Sequence, residues 1–275
     1  MPSLSFLLQH SFRQEKFLFD LGIRRNIETY PALIYQELKS GEVPVSTPQT
    51  VVESLVKGGL APDDIDHVAI SHVHWDHIGN TELFTGKTRF ILSEEGKGLI
   101  ASAYPENPKS EFLTNIPPAE QTVYLPVEDS ETVQWRPAGP FPRAYDFYGD
   151  GSLYIVDSPG HLPGHINILA RTSDDGSWIF LAGDSVHHWH IMDGTAQIAV
   201  GVEEDPSFCL HRDLAKAEEH IERIKEFDAL PRTEVILAHD EPWYEKNKGG
   251  PYFFPGTIPA IGARKDGEAK PSVLQ

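Results

Sequence analysis

A single cysteine, Cys209, stands in 275 residues, so no disulfide can form within the chain and no cysteine-based zinc finger can be built. Cationic side chains are scarce as well. Lys and Arg number 23 against 41 Asp and Glu, a formal net charge of −18 at pH 7. A surface that acidic repels phosphate backbones and anionic lipid, which argues against nucleic acid as a partner. The sequence also lacks any run of about 18 apolar residues, so no membrane span is expected. Its start has no basic stretch leading into an apolar one: Leu4 to Leu8 is interrupted by Ser5 and ends at Gln9 and His10. Cytoplasmic residence is the expectation. The remaining composition, 40% hydrophobic and 23% charged, excludes a disordered chain, and the length supports one large α/β domain or two small ones.

What the chain has in quantity is histidine, thirteen in all, the commonest metal ligand and the usual acid–base group near neutral pH. Their setting follows from the apolar pattern. Leu4–Leu8 and Lys16–Asp20 read as a hairpin, and Ile65–Ser71 and Phe90–Leu92 as strands. Ser46-Thr-Pro48 opens a predicted helix that Gly58-Gly59 closes. Eight prolines between Tyr104 and Pro142 predict an extended loop. Strands recur at Leu153–Val156, His165–Leu169 and Trp178–Ala182, with Asp174-Asp-Gly176 turning the last two. A helix is predicted from Asp205-Pro206 to Leu230-Pro231, with Leu210, Leu214, Ala217, Ile221, Ile224 and Phe227 as its apolar stripe and Cys209 a small packed thiol inside it. Thr233–Ala238 is the last strand. A single domain over 1–245 is expected, followed by a tail, 246–275, partly packed or disordered.

The strand Ile65–Ser71 runs into His72-Val73-His74-Trp75-Asp76-His77. Two histidines two residues apart at a strand end point to one face, and the turn after them can bring Asp76 and His77 to a neighbouring point. Three imidazoles and a carboxylate suit zinc and other late first-row ions. Downstream stand Ser158-Pro-Gly-His161-Leu-Pro-Gly-His165, Leu181-Ala-Gly-Asp184 and Leu237-Ala-His239-Asp240, and upstream Asp20-Leu-Gly22.

With these strings in this order, the chain resembles the metallo-β-lactamase superfamily from about Phe6 to Asp240. The resemblance implies an α/β fold, a four-layer αββα sandwich of two mixed β-sheets flanked by helices. It implies two divalent metal ions, zinc foremost: His72, His74 and His161 would hold the first, Asp76, His77 and His239 the second, and Asp184 would bridge them. The lactone-opening branch resembles the chain most, which implies a hydrolase for a small cyclic ester or amide with a metal-bridging hydroxide as nucleophile. Asp76 or Asp184 would carry the proton to the leaving group. His187 stands where some of those lactonases have a substrate-binding tyrosine, and is a further catalytic candidate. A thioester hydrolase of the glyoxalase type and an iron-dependent oxidoreductase are the alternatives. The expected partner is a small-molecule substrate, and a homodimer stays open.

The other histidines divide by position. His165 is expected to support the site rather than ligate, and at least one of His187, His188 and His190 to face it. His10, His67, His211 and His220 are expected on strand or helix surfaces as structural or exposed groups. Trp135, Phe141, Tyr145, Phe147 and Trp189 fit a core and a pocket wall equally well.

Overall fold

A computed structural model describes residues 1–41, 43–202 and 205–261. The chain divides into two compact units, one Ser3–Val127, the other Met1–Pro2 together with the chain from Glu128 onward.

In the Ser3–Val127 unit, β1 (Phe6–Gln9) and β2 (Lys16–Phe19) form the expected hairpin, with Phe6 opposite Phe19. Helix α1 (Ala32–Ser40) begins after Pro31 and stops at Gly41, which takes the left-handed conformation. It packs Ile34 and Leu38, four residues apart, around Tyr30. Its apolar residues bunch at Ala32–Tyr35, with Leu38 alone beyond them, so no helical spacing announces it in the sequence. Helix α2 (Val51–Lys57) starts later than Ser46-Thr-Pro48 suggested, because the cap is Thr50. Its hydroxyl accepts the Glu53 N–H, and the Glu53 carboxylate accepts the Thr50 N–H in return, a reciprocal pair that fixes the first turn. Strands β3 (His67–Ala69) and β4 (Arg89–Ser93), the short helix α3 (Lys97–Ile100) and β5 (Thr122–Leu125) follow. The sheet order is β1-β2-β3-β4-β5, parallel from β2 onward. Phe17, Leu18, Phe19, Val68, Ala69, Phe90, Ile91 and Leu92 are all buried, the continuous apolar pattern of parallel strands.

The second unit holds β6 (Trp135–Ala138), β7 (Phe141–Asp146), β8 (Leu153–Asp157), β9 (Ile166–Arg171), β10 (Trp178–Leu181), α4 (Trp189–Met192), α5 (Leu214–Asp228), β11 (Thr233–Ile236) and α6 (Glu241–Asn247). Its sheet runs β11-β10-β9-β8-β7-β6, antiparallel except for the β10–β11 pair. Strands β5 and β6 and the start of β7 lie in the region the prolines had predicted as loop. Prolines limit strand length but do not forbid strands. Pro137 falls in β6, the outermost strand, where a missing N–H need not break the ladder, and the register shifts between Arg136 and Ala138.

Helix α5 also differs from expectation. It begins at Leu214, not at Asp205, because Asp213 caps it by accepting the Lys216 N–H. Leu210 is accordingly exposed, while Ala217, Ile221, Ile224 and Phe227 are buried. The last three join Phe141, Phe180, Val235 and Leu237 in the core. Phe141 stacks on Phe180 at 4.4 Å, so it belongs to the core rather than to a pocket wall. Cys209 lies ahead of the helix, half-buried, and accepts the His211 N–H. Helix α6, unforeseen, is capped by Asp240 and carries Pro242 in its first turn. Of the predicted tail, Phe253 packs on Trp243 and Tyr244, and 262–275 lie outside the described residues. Among the described residues no helix is long and apolar enough to cross a membrane.

Candidate metal centre

In the Ser3–Val127 unit the histidine string begins just after β3 and is clasped by the turn that follows β2. Leu21 N–H donates to the His77 carbonyl at 2.8 Å and Gly79 N–H to the Gly22 carbonyl at 2.9 Å. The approach is close enough to require glycine: a β-carbon on Gly79, whose φ is +42°, would meet the Leu21 carbonyl oxygen at 2.6 Å. This clasp delivers Asp20 to the string. One Asp20 oxygen accepts the Ser71 N–H at 2.6 Å, and the other accepts the Ser71 hydroxyl and His77 Nδ1, both at 2.8 Å. Asp20 and His77 are both buried. A carboxylate on Nδ1 holds the proton there and leaves Nε2 with its lone pair, the arrangement found behind metal-bound histidines. That Nε2 faces Asp76 Oδ1 at 3.9 Å. His72 Nε2 and His74 Nδ1 meet at 2.8 Å, and the His74 ring stacks on Phe112. Asp76 is tied through its carbonyl, which accepts the Ser3 hydroxyl at 2.6 Å.

In the second unit one carboxylate gathers three imidazoles. Asp184 Oδ1 lies 3.3 Å from His239 Nε2, while Oδ2 lies 3.6 Å from His161 Nε2 and 3.4 Å from His187 Nε2. Asp184 is buried in the tight turn after β10, where its own N–H donates to His165 Nε2 at 3.1 Å. His165 Nε2 thus supports the Asp184 backbone as an acceptor. His239 follows β11, and its Nδ1 donates to the Pro2 carbonyl at 2.7 Å, again leaving Nε2 as the lone-pair nitrogen. Neighbouring Asp240 accepts the Trp189 indole N–H and the Trp243 N–H. Burial raises its pKa above the ordinary carboxylate value.

A second polar cluster secures the loops. Asn167, fully buried on β9, presents Oδ1 to the Ser158 hydroxyl at 2.6 Å, the Ser185 hydroxyl at 3.0 Å and His220 Nε2 at 2.9 Å. Its amide donates to the Ala182 carbonyl at 2.7 Å. Ser158 precedes the loop bearing His161 and Ser185 follows Asp184, so one side chain pins both turns.

Two surface assignments are corrected by burial. His220 and His211 are 1% and 3% exposed. Burial holds the His220 pKa at about 3 and that of His211 at about 4, the latter helped by the nearby His187. Of the three histidines after Asp184, His187 faces the carboxylate, His188 caps α4 and His190 is exposed. Neither Asn167 nor His211 carried a local sequence signal, since the side chains around them lie far along the chain.

The model of the metallo-β-lactamase superfamily matches residues 2–239. The chain belongs to that superfamily. The relatives of this metallo-β-lactamase superfamily member include a protein named cytochrome P450 monooxygenase mpaDE′ from Penicillium brevicompactum, 30% identical over 94% of this chain and 31% of its own length. Another is the γ-lactamase MBL2 of Gibberella moniliformis, 34% identical over 62% of this chain and 70% of its own. The chain spans about a third of the length of the P450-named relatives it matches. Among solved structures, an N-acyl homoserine lactone hydrolase with N-hexanoyl-L-homoserine at its catalytic metal centre superposes with a TM-score of 0.62. The two are 19% identical, and the match covers 94% of this chain and 87% of that one. The two mixed sheets and their helices are those of the superfamily fold.

The donor set fits late divalent ions. Imidazole nitrogens and carboxylates predominate, sulfur is absent from it, and the Nδ1 partners of His77 and His239 set the tautomer that a metal ligand needs.

Proposed function

We propose that the protein is a dinuclear metal hydrolase that opens a small cyclic ester or amide. The observation that carries this reading is the division of Asp184, one oxygen turned to His239 and the other to His161, as a carboxylate shared by two cations would be. His72, His74 and His161 are assigned to one ion, and Asp76, His77 and His239 to the other. When bound, such ions supply Lewis-acid charge and lower the pKa of a water from 15.7 to about 7. The chain's residues do the rest. Asp20 and Pro2 hold His77 and His239 in the ligating tautomer, and His165 and Asn167 hold the Asp184 turn. Asp76 or Asp184 carries the proton to the leaving oxygen or nitrogen, and His187 hydrogen-bonds the substrate.

The γ-lactamase among its relatives, with the lactone hydrolase of the same fold, supports a cyclic ester or amide as substrate. The test is mass-spectrometric detection of water addition to matched lactones, lactams and thioesters, with zinc-loaded and metal-stripped protein. Metal-dependent ring opening is expected. Thioester cleavage alone, or oxygen uptake by iron-loaded protein without any hydrolysis, would overturn it.

A further inference from the structure

His211 is buried beside the Asp184 cluster, and neither of its ring nitrogens has a hydrogen-bond partner among the described residues. The omission is not slack in the chain, because the backbone there is held from three directions. Arg212 N–H donates to the His161 carbonyl at 3.0 Å and Asp213 N–H to the Gly160 carbonyl at 2.9 Å. Asp213 then caps α5. Gly160, at φ +133°, lets the His161 loop approach so closely that a β-carbon would stand 2.5 Å from Ala217 Cα in the first turn of α5. The segment thus carries the His211 ring to 5.2 Å from the His161 ring and 4.8 Å from the His187 ring, centroid to centroid. One nitrogen from each of the three rings lies within 4.8 Å of the others.

A buried imidazole with no partner is destabilising, and a core position would be filled better by Leu. A rigid ring with two open nitrogens suits a transient partner. We infer that His211 binds the substrate, making a hydrogen bond to the ester or amide group that undergoes hydrolysis next to His161 and His187. An imidazole matches both members of that class, since an N–H donates to a lactone oxygen and a ring lone pair accepts a lactam N–H. The inference rests on the hydrolase reading above.

The test compares zinc-loaded wild type with His211→Leu and His211→Gln, measuring zinc per chain, thermal midpoint, and kcat and KM on γ-lactones and γ-lactams. In His211→Leu, kcat/KM is expected to fall at least tenfold, while zinc content is unchanged and the midpoint is equal or higher. His211→Gln, which keeps a donor and an acceptor, is expected to recover much of the loss. Three results would overturn the role: kcat/KM of the Leu variant within twofold of wild type, loss of a zinc equivalent, which would make the ring a metal ligand, or a large drop in midpoint, which would make it structural. Wild type inactive on every lactone and lactam would overturn the hydrolase reading itself and the inference with it.

Discussion

Asp20 adopts φ +59°, a conformation uncommon for residues with a β-carbon though Asp tolerates it better than most. Glycine would relieve the backbone, but it could not hold His77 Nδ1 or satisfy both donors of Ser71. Asp20→Asn is therefore expected to keep the fold and to weaken zinc binding about 10- to 100-fold, read by competition with a chromophoric chelator. His220 offers a pH test away from the ligands. Its folded pKa of about 3 lies below the ordinary 6.5, so between those values the unfolded state binds the extra proton. Its contribution is full above pH 6.5 and erodes, by at most about 1.4 kcal/mol per pH unit, as pH falls toward 3. Urea unfolding at pH 7 and pH 5 is expected to show about 2 kcal/mol of this loss in wild type and less in His220→Gln.

At the scale of elements, the close contacts are backbone to backbone and leave no room for adjustment. Gly160→Ala would drive a β-carbon into the first turn of α5, and such overpacking costs about 1 to 3 kcal/mol. A lowered thermal midpoint together with reduced zinc content is expected, since the displaced loop carries His161. The same scale shows what a linear reading captures. The hairpin, β3, β4 and β8 to β11 were legible because each is a contiguous apolar run between turn residues. Helices α1 and α6 were not, because consecutive apolar residues, Ala32–Tyr35 in one and Trp243–Tyr244 in the other, set no helical period. Strands β5 and β6 were hidden by prolines that an edge or a short strand tolerates. The start of α5 was misplaced because Asp205-Pro206 imitates a cap whose true counterpart, Asp213, is a single residue without a following proline.

Across the whole molecule, the residues that resemble the superfamily stand in compact strings, and this made the candidate ligands readable in order. His211 was expected at a surface, and Asn167 carried no expectation, because their neighbours, such as His161 and His220, are assembled only by folding. Ligand binding and stability should be coupled at this scale. An ion bound at a thousand times its Kd stabilises the folded state by about 4 kcal/mol. Chelation is thus expected to lower the thermal midpoint by roughly 10 °C per ion lost, and the Asp20→Asn variant should lose less on chelation than wild type, having less to lose.

The bond from His239 Nδ1 to the Pro2 carbonyl joins the second residue to one 237 positions later. Cleavage of the chain just after Pro2 would detach the acceptor that selects the His239 tautomer, while leaving every candidate ligand in place. Cleaved and intact molecules would then differ in metal retention with indistinguishable cores. The integrity of the backbone around Pro2, usually ignored when purified protein is judged by mass on a gel, becomes a determinant of how uniform a preparation is.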